Sequence, residues 1–227
     1  MHWEEINPAE EYTVPDTIVD AVFNISCRSL PVDHAYALSQ AIQRALPWFA
    51  DEADAGLHLV RGAESGNGWL RPNAPQALLQ LSRRTKLALR IPKRRVADAG
   101  ALVNQTLDVD GHALRVDRIA LRPLSRITTL FSRHVVMTAG DDEAGFLNAA
   151  AEELGALGIR PKKMLCGLTT PIATPVHTLR TCSLMLAGLG PEESVLLQQR
   201  GLGLERKLGC GLFLPHKNIN DLRREPE

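Results

Sequence analysis

Gly201-Leu-Gly-Leu-Glu-Arg-Lys-Leu-Gly-Cys-Gly211, followed by Leu-Phe-Leu-Pro-His-Lys217, is the stretch on which the reading of this chain turns. Gly201, Gly203, Gly209 and Gly211 bracket Arg206 and Lys207, after a helix-like segment over 191–200 and before an apolar run over 208–214 that reads as a last strand. Glycine takes positive φ without a Cβ penalty, so such a loop can approach a ligand closely and turn free N–H groups toward anionic oxygens. With two cations inside it, the expected ligand is a phosphate chain. The Walker loop and the dinucleotide fingerprint both need the helix to follow the glycines, and here it precedes them, so no nucleotide cofactor is expected. A plain glycine-rich turn between a helix and an edge strand is the other reading of the same residues.

Working outward from the loop, one order of elements occurs twice. Residues 18–29 are β-rich and read as a central strand. Asp33 is placed to cap a helix through the N–H of Tyr36, and that helix runs to about residue 49, with Leu38, Ala41, Ile42 and Ala45 on one face. His34 falls at its first turn, at the edge of the apolar stripe. A short strand over 57–61, a long loop over 62–75, and two runs over 76–81 and 86–91 follow, the latter two read as a hairpin with the basic tip Ser-Arg-Arg-Thr. A short helix over 94–104 and a strand pair over 107–109 and 112–121 close the first half.

The second half repeats this plan. Residues 127–137 read as a strand, and a helix follows with acids in its first turn. Strands over 162–168 and 178–186 are separated by a connection too long for a tight turn. The helix over 191–200 and the last strand complete a second β-α-β-β-α-β unit. The expected fold is therefore α+β, with tandem ferredoxin-like (RRM-like) domains over 18–124 and 125–217, a tail over 1–17 and another over 218–227.

A chain of 227 residues that is 44% hydrophobic and 23% charged can bury a full core. No apolar run reaches the length of a membrane span, and the acidic first residues do not resemble a secretory signal, so a soluble, cytoplasmic protein is expected. Cys27, Cys166, Cys182 and Cys210 are far apart in sequence and form no C-x-x-C, so they read as buried small hydrophobes, and no metal site is expected. Net charge is zero, yet residues 1–20 carry six carboxylates and no cation, while Arg83, Arg84, Lys86, Arg90, Lys93, Arg94 and Arg95 fall within fourteen residues that contain no acid. Such a patch can bind a polyanion even when the total cancels; a solvated strand edge is the alternative.

Leu30-Pro-Val-Asp-His-Ala-Tyr-Ala-Leu38, taken with the glycine-rich stretch through Lys217, resembles the repeat-associated RNA-binding superfamily of CRISPR systems. Within it, the chain is similar to the CRISPR-associated endoribonuclease that cuts the precursor transcript inside each repeat. The resemblance covers about residues 18–217. It implies metal-independent cleavage 3′ of a repeat stem-loop, with 2′,3′-cyclic phosphate and 5′-hydroxyl ends. It also implies a proton-transferring histidine at the start of the first helix, where His34 stands, with Tyr36 and Lys207 as the nearest helpers. Subunits of a CRISPR effector complex are implied as partners.

The chemistry suits an imidazole independently of the family. A 2′-hydroxyl attacking its own phosphate must lose a proton, the departing 5′-oxygen must gain one, and cations must meet the added charge. With an unperturbed pKa near ~6.5, histidine can fill either proton role. His177, in the connection between the second-half strands, and His216 are rivals to His34; His58, His112 and His134 fall in strands and read as structural. Only ten residues are aromatic, so phosphate contacts, not base stacking, are expected to hold the RNA. Those assigned are Arg83, Arg84, Lys86, Lys93, Arg94 and Arg95 in the first half, and Arg160, Lys162, Lys163, Arg206 and Lys207 with the four loop glycines in the second. A non-catalytic RNA-binding subunit of the same superfamily and a small-ligand double ferredoxin domain are the other functional readings.

Overall fold

The computed structural model describes residues 12–62, 77–138 and 142–216. The first half builds a five-stranded antiparallel sheet from β1 (Ile18–Ser26), β3 (Gly56–His58), β5 (Lys86–Pro92), β6 (Thr106–Val109) and β7 (His112–Arg122), in the order β3-β5-β1-β7-β6. The second builds a four-stranded one from β8 (Thr129–Val136), β9 (Lys163–Ala173), β10 (Thr178–Ala187) and β11 (Leu214–Pro215), in the order β11-β8-β10-β9. In each, the first and third strands of the β-α-β-β-α-β unit lie side by side at the centre, which is the tandem ferredoxin-like arrangement.

Helices α1 (Ala35–Ala45) and α2 (Trp48–Asp51) cover the first sheet, with the single turn α3 (Val96–Ala99) flanked by 3-10 turns at Lys93–Arg95 and Gly100–Leu102. Leu46-Pro47 separates α1 from α2, so the expected single helix to residue 49 is broken where proline removes a donor and restricts its predecessor. Leu38 and Ile42 meet Phe23, Leu89 and Val116 in this core. Helices α4 (Glu143–Ala156) and α5 (Pro191–Arg200) cover the second sheet, where Phe146, Leu154 and Leu197 meet Leu184, Leu186 and Phe213. A smaller cluster joins the halves: Ala35 of α1, Ile172 and Leu179 of the β9–β10 hairpin, and Leu208 and Cys210 of the glycine-rich loop.

Several expectations are corrected. The segment expected to form a hairpin with β5 instead yields β4 (Leu78–Gln80), which pairs with β2 (Ser29–Pro31) in a separate two-stranded sheet; the Ser82–Thr85 turn forms, but its two arms belong to different sheets. Strand β9 runs to Ala173 despite Pro171, because it is the outer strand and a missing N–H on the unpaired side costs no ladder bond. The long connection therefore shrinks to Thr174-Pro-Val-His177, closed by Thr174 N–H donating to the His177 carbonyl at 3.0 Å. The last strand is only two residues, since a 3-10 turn at Arg206–Leu208 and left-handed Glu205, Gly209 and Gly211 occupy its expected start. Cys166 and Cys182, on paired strands, form a disulfide in place of two separate thiols, while buried Cys210 is free, its thiol pushed up to about 12 by burial. The segment expected as a loop over 62–75 lies almost wholly outside the described residues, as does most of each terminal tail.

Candidate active-site cleft

A cleft of about 310 Å³ opens where α1, the β9–β10 turn and the glycine-rich loop meet. Tyr36, Ser39, Gln40 and Gln43 line one wall from α1, Thr174 to His177 form the second, and Glu205, Lys207 and Leu208 the third. Every one of these elements packs on the joining cluster of Ala35, Ile172, Leu179, Leu208 and Cys210, so that apolar seam sets the shape of the cleft. It brings together the two expected helpers, Tyr36 and Lys207, and one of the rival histidines, His177.

His177 is exposed at the turn, where its backbone is fixed by the Thr174 hydroxyl, which donates to the His177 carbonyl and accepts from the His177 N–H. Lys207 is half-buried. Its Nζ donates to the Glu52 carbonyl at 2.7 Å and lies 5.8 Å from the Phe49 ring, and burial followed by the neighbouring Arg206 charge pulls its pKa below the usual lysine value.

His34 lies behind this wall and not in it. It is only 3% exposed, and its Nδ1 lies 2.8 Å from the Pro31 carbonyl, which can only accept, so Nδ1 carries the proton. Nε2 therefore accepts the Val60 N–H, at 3.2 Å. The ring is the neutral tautomer with a hydrogen bond at each nitrogen, holding the chain before α1 against the chain after β3. Asp33 also departs from expectation: α1 begins with no side-chain cap, and the Asp33 carboxylate instead accepts the Ala173 N–H at 2.9 Å, across 140 residues of sequence.

The glycine-rich loop is a joint between the halves. A Cβ on Gly201 would sit 2.6 Å from the Gly211 carbonyl oxygen, and one on Gly211 would overlap the Leu202 carbonyl, so both glycines serve the close approach of two backbone strands. The expectation of free loop N–H groups is corrected: those of Gly201, Gly203, Gly209 and Gly211 donate to Leu197, Glu153, Arg206 and His134 respectively. Arg206 reaches back to the carbonyls of Gln199 and Arg200, capping the end of α5, and across to that of Asp54. Burial, with Arg90 nearby, pushes its pKa down to about 10, and its Nε is buried with no partner.

The basic run of the first half is unevenly committed. Acids outside the run neutralise part of it: Arg94 and Arg95 share buried Glu52, Arg95 also pairs with Asp98 three residues on and lies over the Trp48 ring, and Lys93 pairs with Asp16. Lys86 donates to Asn24. Arg83 and Arg84 stand exposed at the Ser82–Thr85 turn, and Arg160, Lys162 and Lys163 are exposed ahead of and at the start of β9.

Sequence reasoning missed a buried charge cluster in a second cleft, of about 450 Å³, between the sheets. Asp20 of β1 is held by Arg90 and Arg122 on the two neighbouring strands, both at 2.9 Å, and by His58 on β3, one strand further out, at 3.2 Å. Burial alone would raise the Asp20 pKa, but Arg90 and His58 hold it well below the usual carboxylate range. Burial also lowers the pKa of His58 against the pull of Asp20. Arg90, fully buried, further donates to the carbonyls of Gln198 and Phe213 in the second half. A lone arginine inside the apolar run Leu87-Ala-Leu-Arg-Ile91 was the only signal in the sequence, and it points to no partner.

Among the described residues no three His, Cys, Asp or Glu side chains converge as metal ligands, and no helix is long and apolar enough to cross a membrane.

Residues 19–218 match the family model described as Cas6 Crispr. Over 197 residues the chain is 34% identical to the CRISPR-associated endonuclease Cas6 of Myxococcus xanthus strain DK1622, covering 87% of this chain and 81% of that one. Among solved structures, it superposes on an RAMP protein binding different RNA substrates with a TM-score of 0.59 at 14% identity, covering 88% and 100% of the two chains. A CRISPR-associated protein Cas6 gives 0.58 at 10% identity, covering 88% and 99%. At such identities these two likenesses speak for the fold.

Proposed function

The chain belongs to the Cas6 family, and we propose that it acts as that family's endoribonuclease on CRISPR precursor RNA, cutting within the repeat 3′ of a stem-loop in the cleft of Tyr36, His177 and Lys207. The observation that carries this reading is the convergence there of a phenol, an imidazole and a cation from three segments of the chain. A 2′-hydroxyl loses its proton and attacks the adjacent phosphorus; the 5′-oxygen leaves with a proton, giving a 2′,3′-cyclic phosphate and a 5′-hydroxyl. His177 is the imidazole in this cleft that an RNA strand reaches without rearrangement, and Tyr36 and Lys207 line the same space. Lys207 meets the charge that builds on the phosphate, a contribution of about 10²- to 10³-fold for one well-aimed donor.

A second reading keeps His34 as the proton carrier, supported by its place at the start of α1 in the segment that carries the family resemblance. In that scheme Val60 releases Nε2 when RNA enters. Neither scheme draws on a metal.

The stem is gripped by the exposed cations, Arg83, Arg84, Lys86, Arg160, Lys162 and Lys163, with smaller contributions from the acid-paired Lys93, Arg94 and Arg95. Cleaved guide RNA then passes, in the cytoplasm, to the subunits of a CRISPR effector complex. The test is a labelled repeat RNA incubated in EDTA. One cut is expected, abolished by a 2′-deoxy nucleotide at the scissile position; cleavage that survives the deoxy substitution refutes the mechanism. Slow cutting by His177→Ala with a normal rate for a folded His34→Gln supports the first scheme, and the reverse supports the second.

A further inference from the structure

The β9–β10 turn carries one wall of the cleft, yet it belongs to the second half of the chain while Tyr36 belongs to the first. Strand β9 is an outer strand, so alternate N–H groups along it face away from β10. The Ala173 N–H, at the last position of β9, is one of these, and the acceptor waiting for it is the Asp33 carboxylate, at 2.9 Å. The next N–H, that of Thr174, turns inward and closes the turn on His177. One residue thus marks where the hairpin ends, and a charged acceptor from the other half of the chain grips it there. Asp33 stands two residues before α1 and three before Tyr36, so its carboxylate links the backbone bearing Tyr36 to the backbone bearing His177. Its side chain makes no helix cap, although Asp before a helix is the residue type suited to one.

We infer that Asp33 is a positioning residue for the cleft: by holding the Ala173 N–H it sets the β9–β10 turn over α1, so that His177 stands opposite Tyr36 and Lys207. This rests on the reading of that cleft as the place of cleavage. The apolar seam beneath, Ala35 with Ile172 and Leu179, brings the hairpin near α1 but is non-directional, and it leaves sliding along the helix unopposed. A single charge-assisted hydrogen bond supplies the direction. Asp33 itself is exposed, so replacing it does not open the core.

The experiment compares full-length wild type, Asp33→Ala and Asp33→Asn by single-turnover cleavage of a repeat stem-loop RNA, by its affinity, and by amide hydrogen exchange. Asparagine keeps an oxygen that can accept the Ala173 N–H but carries no charge. In Asp33→Ala the Ala173 amide should exchange faster while that of Thr174, bonded within the turn, stays protected. Cleavage should fall by about 10- to 100-fold, as expected for an ångström-scale misplacement, with RNA affinity unchanged. Asp33→Asn should recover most of the lost rate and the Ala173 protection together. Wild-type cleavage by Asp33→Ala overturns the inference. So does an Asp33→Asn variant as slow as Asp33→Ala, which would assign the role to the charge and not to the anchor. Wild-type rates for both His177→Ala and Tyr36→Phe would remove the cleft itself as the reaction site and Asp33's role with it, whereas the exchange of Ala173 reports the anchor whatever the RNA does.

Discussion

Replacing His34 with alanine is expected to cost stability before it costs anything else. The imidazole is 3% exposed and satisfies two backbone groups, the Pro31 carbonyl at 2.8 Å and the Val60 N–H at 3.2 Å. Truncation leaves the buried Val60 N–H without a partner, at roughly 1–3 kcal/mol, and takes the imidazole from the half-buried Pro31 carbonyl, at about 1 kcal/mol, so about 2–4 kcal/mol in all. Domains of this kind have total stabilities of about 5–15 kcal/mol, so the loss is a large fraction of the whole. Urea denaturation followed by fluorescence measures it, since Trp48 packs against the first core. With a denaturant slope of about 1–3 kcal/mol/M, the midpoint should drop by roughly 1 M or more. His34→Gln, which offers an amide near the position of Nε2, should recover part of the loss. A midpoint that does not move in His34→Ala refutes the assignment of both hydrogen bonds. Cleavage by that variant is therefore interpretable only under conditions where it is shown to be folded.

Three further outcomes follow from the charged groups. Arg90→Ala removes the one fully buried cation beside Asp20, leaving it His58 and Arg122, and strands two carbonyls of the second half, so it should destabilise by about 3–5 kcal/mol in thermal or chemical denaturation; a change under about 1 kcal/mol would show that the cluster does not join the halves. Because burial lowers the His58 pKa, the unfolded chain binds that proton more readily, so stability contributed by neutral His58 is present above about pH 6.5 and is lost as pH falls below it. Loss from Asp20 begins only below about pH 4, so a His58→Gln variant should flatten the profile between pH 7 and 5; an identical profile would exclude His58. Arg83→Ala and Arg84→Ala should each reduce the salt slope of RNA binding by about one unit, whereas Arg94→Ala, already paired with Glu52, should reduce it by less; equal effects would contradict the division drawn from the ion pairs.

Local pattern made much of the architecture legible in advance. Strands β1, β8 and β10 and helices α1, α4 and α5 lie close to where hydrophobic period and turn residues put them, because each is a long segment whose own sequence repeats at the period of its structure. The elements misread were short or shared between neighbours. Residues 78–80, Leu-Leu-Gln, are a short apolar run that suits any sheet edge, and nothing local says that the partner is β2 and not β5. The four-residue turn at 174–177 was hidden by Pro171, which argues against a strand everywhere except on an outer edge, and whether a strand is outermost is a property of the assembled sheet.

Residue types alone determined that this chain folds as two ferredoxin-like halves, that an imidazole, a phenol and cations are available for RNA cleavage, and that the glycine-rich stretch matters. Only the tertiary structure decided what each of these groups touches. It turned His34 inward to bind two backbone groups, placed His177 in one cleft with Tyr36 and Lys207, spent the loop glycine N–H groups on the protein, and brought Glu52 and Asp16 from far along the chain to Arg94, Arg95 and Lys93. The physical reason is range. Period and turn propensity act over a few residues and are written where they act, whereas a hydrogen bond or an ion pair is set by distances of about 3 Å between groups that the folded chain alone brings together.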